Sequence, residues 1–196
     1  MDYRGDNRTD TVYSEGFNAN KGNSFSWRTT VEYAWKVGEI TVTPAVGYIL
    51  HRQSLHILDK TGNASGVNST YSSRFQGATV GLKADFPLSE HISLGAGAWY
   101  DRYHFRGQAD WNLITTFRHP LSFQDDANGY NLEGNIRGAY HLDRWEFFLA
   151  GNILRGKTGK GTDMLYLANG NDVPTQFNEA VRNYMGVSVG ASVSLF

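Results

Sequence analysis

Residue polarity alternates with a period of two along seven separate stretches of this chain. Between 25 and 35 the odd-numbered residues are mostly apolar or aromatic, whereas the even-numbered residues include Arg28 and Glu32. Successive side chains of a β-strand point to opposite faces, so such a stretch predicts a strand with one apolar and one charged face. The alternation recurs in six later stretches: 40–50, 78–86, 92–100, 130–140, 145–153 and 185–195. The sequence therefore predicts an all-β fold of seven antiparallel strands.

The composition favours a sheet and excludes several kinds of functional site. The 196 residues include 22 Gly, 11 Tyr, 11 Phe and 5 Trp, which is typical of strands and tight turns. No apolar run approaches the roughly 18 residues of a transmembrane helix. The absence of Cys excludes a thiolate nucleophile and a Cys-type zinc site. A net charge of -1 gives no general attraction for nucleic acid, and no metal-ligand spacing of His residues is present.

Aromatic positions and connection lengths indicate a membrane-spanning barrel. Aromatic residues stand at both ends of the apolar face of 25–35, as in the interfacial girdles of barrels. Tight turns at 36–39, 87–91 and 142–145 alternate with long polar segments at 59–71, 107–128 and 155–177. Short periplasmic turns and long extracellular loops are typical of outer-membrane barrels. We therefore expect an antiparallel up-and-down transmembrane β-barrel in the outer membrane of a Gram-negative cell, with a soluble β-sandwich or barrel as the alternative.

An odd number of strands has a consequence for barrel closure. Single-chain bacterial barrels have an even number of strands, and an open sheet would leave unpaired edges in hydrocarbon. We therefore expect 1–196 to be one outer-membrane β-barrel domain that is incomplete at its N-terminus. The terminal Phe196 is typical of barrels that the outer-membrane assembly machinery reads. We expect that machinery and outer membrane lipids as partners; the oligomeric state is left open.

Several short blocks match a known family of barrels. They are Thr-Pro-Ala-Val-Gly-Tyr at 43–48, Ser-Arg-Phe at 73–75 and Thr-Phe-Arg at 116–118. These blocks resemble the omptins, which are ten-stranded outer-membrane aspartyl-type endopeptidases. The resemblance covers essentially the whole chain and implies that three N-terminal strands are missing. Residues 109–113 and 119–123 look more like an uncharacterised omptin-like branch of outer-membrane proteins named after a chlamydia-related bacterium.

The resemblance to the omptins implies a catalytic site in which an Asp pair faces an Asp–His pair and the two activate a water molecule. Asp2 resembles the second acid of the first pair. For the second pair, Asp110 stands either at the His position or as the acid, with Asn112 then replacing the His. His104 and His119 lie nearby, but not at the family spacing. We therefore expect a non-enzymatic surface protein, with an omptin-type endopeptidase using Asp2 and Asp110 as the alternative.

The same resemblance implies a lipopolysaccharide site on the outside of the barrel, near its extracellular rim. Tyr48, Arg52 and Arg74 match it, and the alternation puts all three on the lipid-facing side. A cation costs little near the interface, and a lipid phosphate accepts bidentate hydrogen bonds from arginine. Alternatively, Arg52 and Arg74 merely extend to the headgroups. We expect no metal, and no cofactor other than lipopolysaccharide as a bound lipid.

Two other features predict structure rather than chemistry. Arg28, Glu32, Glu133 and Arg137 share the inner face, and we expect them to form an internal ion-pair network that disfavours a diffusion pore. The segment 156–162 contains Gly-Lys-Thr but lacks the spacing of a phosphate-binding loop. It is therefore interpreted as a loop tip.

Overall fold

The computed structural model describes residues 17–60, 62 and 65–194; Asp2 and Phe196 lie outside these residues. Its strands are β1 (Phe17–Glu32), β2 (Trp35–Val37), β3 (Ile40–Asp59), β4 (Asn68–Pro87), β5 (Ile92–Asp110), β6 (Phe123–Leu142), β7 (Trp145–Thr158), β8 (Gly161–Tyr166), β9 (Asp172–Phe177) and β10 (Val181–Val193). Among the described residues there is no helix of the length and hydropathy that a membrane crossing requires.

Seven long antiparallel strands follow one another in one sheet, in the order β1-β3-β4-β5-β6-β7-β10. They contain five of the alternating stretches in full and most of 25–35 and 185–195, so the prediction of an all-β antiparallel fold is confirmed. The short strand β2 continues the pairing of β1 along β3. Strands β1 and β10 form the two ends of the path and are not paired with each other in the described part of the chain.

The sheet is strongly curled, because side chains from distant strands meet on its concave face. Arg28 of β1 reaches Glu133 of β6, at 2.8 Å, although three strands lie between them. Arg182 of β10 lies 3.5 Å from the ring of His51 on β3, next to the opposite end of the sheet. The architecture is therefore that of a partial barrel with an enclosed inner face.

Strand β5 shows how the two faces differ. Every odd-numbered residue from Trp99 to Ala109 is buried on the inner face. On β5 the outer face is apolar from Ile92 to Tyr100. We call this zone, together with the corresponding apolar stretches of the other six long strands, the apolar band. The eight residue steps of roughly 3.4 Å, tilted by about 40°, span about 20 Å, close to the ~25 Å band of outer-membrane barrels. Above the band the outer face turns polar, beginning with Arg102.

The strands continue well above the apolar band, and this corrects the expected loop lengths. Strands β3 to β6 have 19 or 20 residues each, so the first two long connections shrink to 60–67 and 111–122. A small aromatic core fills the inner face at this level, with the rings of Phe75 and Phe105 4.9 Å apart. Above the bilayer a ladder needs no apolar outer face, so the end of the alternation did not mark the end of the strands.

The third connection contains structure that the sequence did not predict. Strands β8 and β9 form a hairpin, and β8 pairs with β6 at 123–126, above the residues that pair with β7. The ring of Phe177, at the end of β9, stacks on Phe105 at 5.5 Å. Lys157 and Thr158 belong to β7, so the interpretation of 156–162 as a loop tip was wrong.

Candidate functional site

Three arginines stand directly opposite one another on neighbouring strands of the outer face. Arg52 of β3 is the register partner of Arg74 on β4, which is the partner of Arg106 on β5. We call these three residues the arginine row. The apolar band ends just below it, with Leu50 on β3 and Ala78 on β4. Like charges directly opposite one another in a sheet repel, so an anion bound beside these arginines would reduce their mutual repulsion.

The described residues supply little negative charge to the arginine row. Neither Arg52 nor Arg74 has an ion pair within 4 Å among them. Arg106 shares Asp126 with His104, at 3.4 Å and 3.1 Å. Two guanidinium groups at the edge of the apolar band are therefore left without a carboxylate from the described part of the chain.

Tyr48 lies on the same outer face, two rows below Arg52, with Leu50 between them. Its register partners are Thr29 on β1 and Ala78 on β4, and its side chain is 41 % exposed. A phenol in this position has its ring against the apolar band and its hydroxyl toward the headgroups. Tyr48, Arg52 and Arg74 thus share one face within two rows, whereas their binding of lipopolysaccharide stays a prediction.

Asp110, at the end of β5, contacts a histidine that the family spacing did not indicate. Nδ1 of His119 lies 2.5 Å from a carboxylate oxygen of Asp110. The loop 111–122 folds back to bring them together, since the Ser122 amide donates to the Ala109 carbonyl at 2.7 Å. The pair lies on the outer side of the rim, because Asp110 shares its parity with the outer-face residue Gln108.

The inner-face charges pair as expected in part. Of the four charges expected to form one network, Arg28 and Glu133 pair with each other, and Arg28 also contacts the buried Asp101 at 3.2 Å. The other two predicted charges have partners of their own: Glu32 pairs with Lys83, and Arg137 pairs with Glu146. These pairs cross-link strands across the concave face, which is a structural role.

Two carboxylates face each other on the inner face, above the level of the apolar band. Asp125 on β6 is 5 % exposed and is the register partner of Asp163 on β8. Burial, and then the nearby carboxylate of Asp163, raise the pKa of Asp125 to about 6. Burial also raises the pKa of Asp163. The Tyr71 hydroxyl donates to Asp125 at 3.3 Å, and the Thr175 hydroxyl donates to Asp163 at 3.1 Å.

This carboxyl pair has the features of a site that binds a proton rather than a metal ion. In the described part of the chain, no three His, Asp or Glu side chains group closely enough to hold a metal ion. Ionising both carboxyls at directly opposite strand positions is costly, so Asp125 keeps its proton up to about pH 6. The sequence could not show this pair, because it depends on the unpredicted strand β8.

A comparison with protein families gives a match over nearly the whole chain. A family model described as Protochlamydia outer membrane protein (Pom) matches residues 2–195. No curated protein matches the chain. The match agrees with the outer-membrane interpretation of the strands and with the resemblance of 109–113 and 119–123 to proteins named after a chlamydia-related bacterium. It does not extend to the omptins, so that resemblance stays a prediction.

Proposed function

The chain belongs to the Protochlamydia outer membrane protein family, and from this premise we propose that it is a non-enzymatic surface protein whose outer face binds the phosphate groups of lipopolysaccharide. The arginine row carries this proposal. Its three guanidinium groups belong to adjacent strands spaced roughly 4.8 Å apart; Arg52 and Arg74 lie near the upper edge of the apolar band, and Arg106 lies further above it on β5. A lipid phosphate between two of them accepts paired hydrogen bonds and removes their mutual repulsion.

Tyr48 complements the phosphate site from below. It is an exposed aromatic residue of the apolar band, two rows below Arg52, where the acyl carbons of a bound lipid would lie. The acidic Asp126 neutralises only the far end of the row, at Arg106. Arg52 and Arg74 are therefore the two residues whose charge a lipid phosphate would compensate.

We also infer that the curled sheet is part of a closed transmembrane barrel of omptin-like fold, with the connections 60–67 and 111–122 on the extracellular side. An unpaired strand edge in hydrocarbon leaves backbone groups without hydrogen bonds, at a cost of several kcal/mol each. Strands beyond those described would pair with β1 and β10. The outward side chains of β10 support a lipid-facing position, since Met185 is 83 % exposed and Val189 is 79 % exposed.

Binding of purified lipopolysaccharide to the intact protein in detergent tests the role of the arginine row. We expect Arg52→Ala combined with Arg74→Ala to weaken binding by about 3 kcal/mol, roughly a hundredfold, because two charge-assisted contacts are lost. Lipopolysaccharide stripped of its phosphates should bind the unchanged protein equally weakly. Arg144→Ala, in the turn between β6 and β7, is the matched control and should leave the affinity unchanged. Equal affinity of the double variant and the control would refute the proposal.

The contact between Asp110 and His119 favours one other candidate, an omptin-type endopeptidase. A histidine held by a carboxylate can act as a general base toward water. Its position on the outer side of the rim, away from the inner face, is the reason to prefer the non-enzymatic function. Cleavage of a dibasic peptide by the intact protein with lipopolysaccharide, lost in both Asp110→Ala and His119→Ala, would establish the enzyme instead.

A further inference from the structure

A groove of ≈ 600 Å³ lies on the outer face at the end of β7, beside the middle of β5 and the neighbouring part of β6. Arg102, Tyr130 and Lys157 line it and are register partners in one row across these three strands. Lys160 and Glu179, from the segments on either side of the hairpin β8–β9, line it from above. The groove shares no residue with the arginine row or with Tyr48.

The charge of the groove is strongly asymmetric. Three cations, Arg102, Lys157 and Lys160, face one carboxylate, that of Glu179. Among the described residues, none of these four side chains has an ion pair within 4 Å. The two cations of the row stand on either side of Tyr130, so an anion lying over this ring would be reached from both directions. The groove therefore holds an excess of two positive charges.

Hydrogen bonds hold the walls of the groove in place. The amide of Gly159 donates to the carbonyl of Asn128 at 2.8 Å, which fixes the segment after β7 against β6. The Thr158 amide donates to the Ala180 carbonyl at 2.9 Å, and the Ala180 amide donates to the Thr158 hydroxyl at 2.8 Å. A groove with fixed walls needs little reorganisation to accept a ligand, which favours binding.

The position of the groove limits what can occupy it. On β5 the apolar band ends at Tyr100, directly below Arg102; on β7 it ends at Ile153, and Arg155 stands between Ile153 and Lys157. The ring of Tyr130 stacks on that of Tyr100, at 6.2 Å between centroids, and continues the apolar surface into the groove. A ligand there meets an aromatic floor and two kinds of cation, at the level of the headgroups.

We propose that this groove is a second, separate site for a phosphate monoester, held by Arg102, Lys157 and Lys160. Arginine offers a planar fork to two phosphate oxygens, and the lysines supply point charges. The phosphate can come from the headgroup of an anionic membrane lipid or from a soluble phosphate. The site is independent of the arginine row, so it stands whether or not that row binds lipopolysaccharide.

Acylation of lysines by an amine-reactive ester, read by mass spectrometry on the intact protein in detergent, tests this site directly. Two probes are used: phosphatidic acid in phosphatidylcholine vesicles, and inorganic phosphate alone. At about ten times its Kd, a probe should slow acylation of Lys157 and Lys160 about tenfold, while the exposed Lys36 of β2 reacts as before. Protection by the lipid only identifies a headgroup site, and protection by both identifies a site for phosphate in general.

Three variants decide whether the groove is responsible. Arg102→Gln should weaken binding about tenfold, so that the same concentration protects Lys157 only about twofold. Lys160→Gln changes only an exposed cation outside the strands and should also reduce protection of Lys157, which keeps the test valid if Arg102→Gln does not fold. Arg52→Gln combined with Arg74→Gln should leave protection intact. No protection by either probe, or protection lost in that last variant, overturns the proposal.

Discussion

Asp101 shows how much a single inner-face residue can organise. Its carboxylate accepts hydrogen bonds from Thr79 at 2.6 Å, from Asn131 at 3.2 Å and from Arg28 at 3.2 Å, and it is 2 % exposed. These donors lie on three other strands, so one carboxylate ties β1, β4 and β6 to β5. The parity of the sequence put Arg28 on the inner face, but the choice of partner depends on strand register and curl, which the sequence does not show.

Replacing this carboxylate should therefore destabilise the folded sheet. We expect Asp101→Ala to lower the free energy of unfolding by about 3 kcal/mol, because Arg28 keeps only Glu133 and two further donors lose their acceptor. Urea titration of the protein refolded in detergent measures the change. Asp85→Ala, an exposed carboxylate of β4, is the control and should change stability by less than about 0.5 kcal/mol. Similar losses in both variants would mean that Asp101 has no organising role.

The hairpin β8–β9 has no clear signature in the sequence. Its strands have six residues each, carry little polar alternation, and include Pro174 in β9. Proline in a strand argues against a central position. Within the described residues β9 has β8 as its one partner, so it is an edge strand and tolerates the proline. The long strands were predicted because lipid on one side and charge on the other impose alternation, and that constraint does not act on a hairpin above the bilayer.

Docking of this hairpin on β6 should weaken as the pH rises. The pKa of Asp125 is raised to about 6, so the docked state binds a proton more tightly than the undocked one. The stabilisation is then fully present below about pH 4 and lost as the pH passes through about 6. Amide exchange of 161–177, corrected for intrinsic rates, should show less protection at pH 8 than at pH 5.

Two variants on the same strand separate this effect from general changes with pH. Asp125→Asn removes the ionisable group and should leave protection of the hairpin nearly the same at both pH values. Asp126→Asn lies next to it on the outer face and should keep the pH dependence. In the unchanged protein, protection of the hairpin that rises with pH or does not depend on pH would contradict a raised pKa of Asp125 beside Asp163.

At the scale of the whole molecule, the all-β antiparallel sheet and its two faces followed from the sequence, because period-two alternation fixes which side each residue takes. The arginine row could not be predicted from the sequence, because it depends on the register of three strands. Arg52, Arg74 and Arg106 are far apart in the chain and lie opposite one another only in the sheet. The groove beside Lys157 likewise depends on β7 extending into a segment interpreted as a loop.

The outer face of the sheet contacts lipid and the inner face is shielded from it. Spin-label accessibility along the sheet tests this difference between the faces. The sequence contains no Cys, so single cysteines can carry the label at outer positions Leu94, Ala96 and Ala98 and at inner positions Ser93 and Asn135. In vesicles, we predict that the outer labels collide mainly with oxygen dissolved in lipid, whereas the inner labels are shielded from it. Outer labels that collide instead with a water-soluble nickel chelate, as inner labels in a wet interior can, would show that this face does not contact a bilayer.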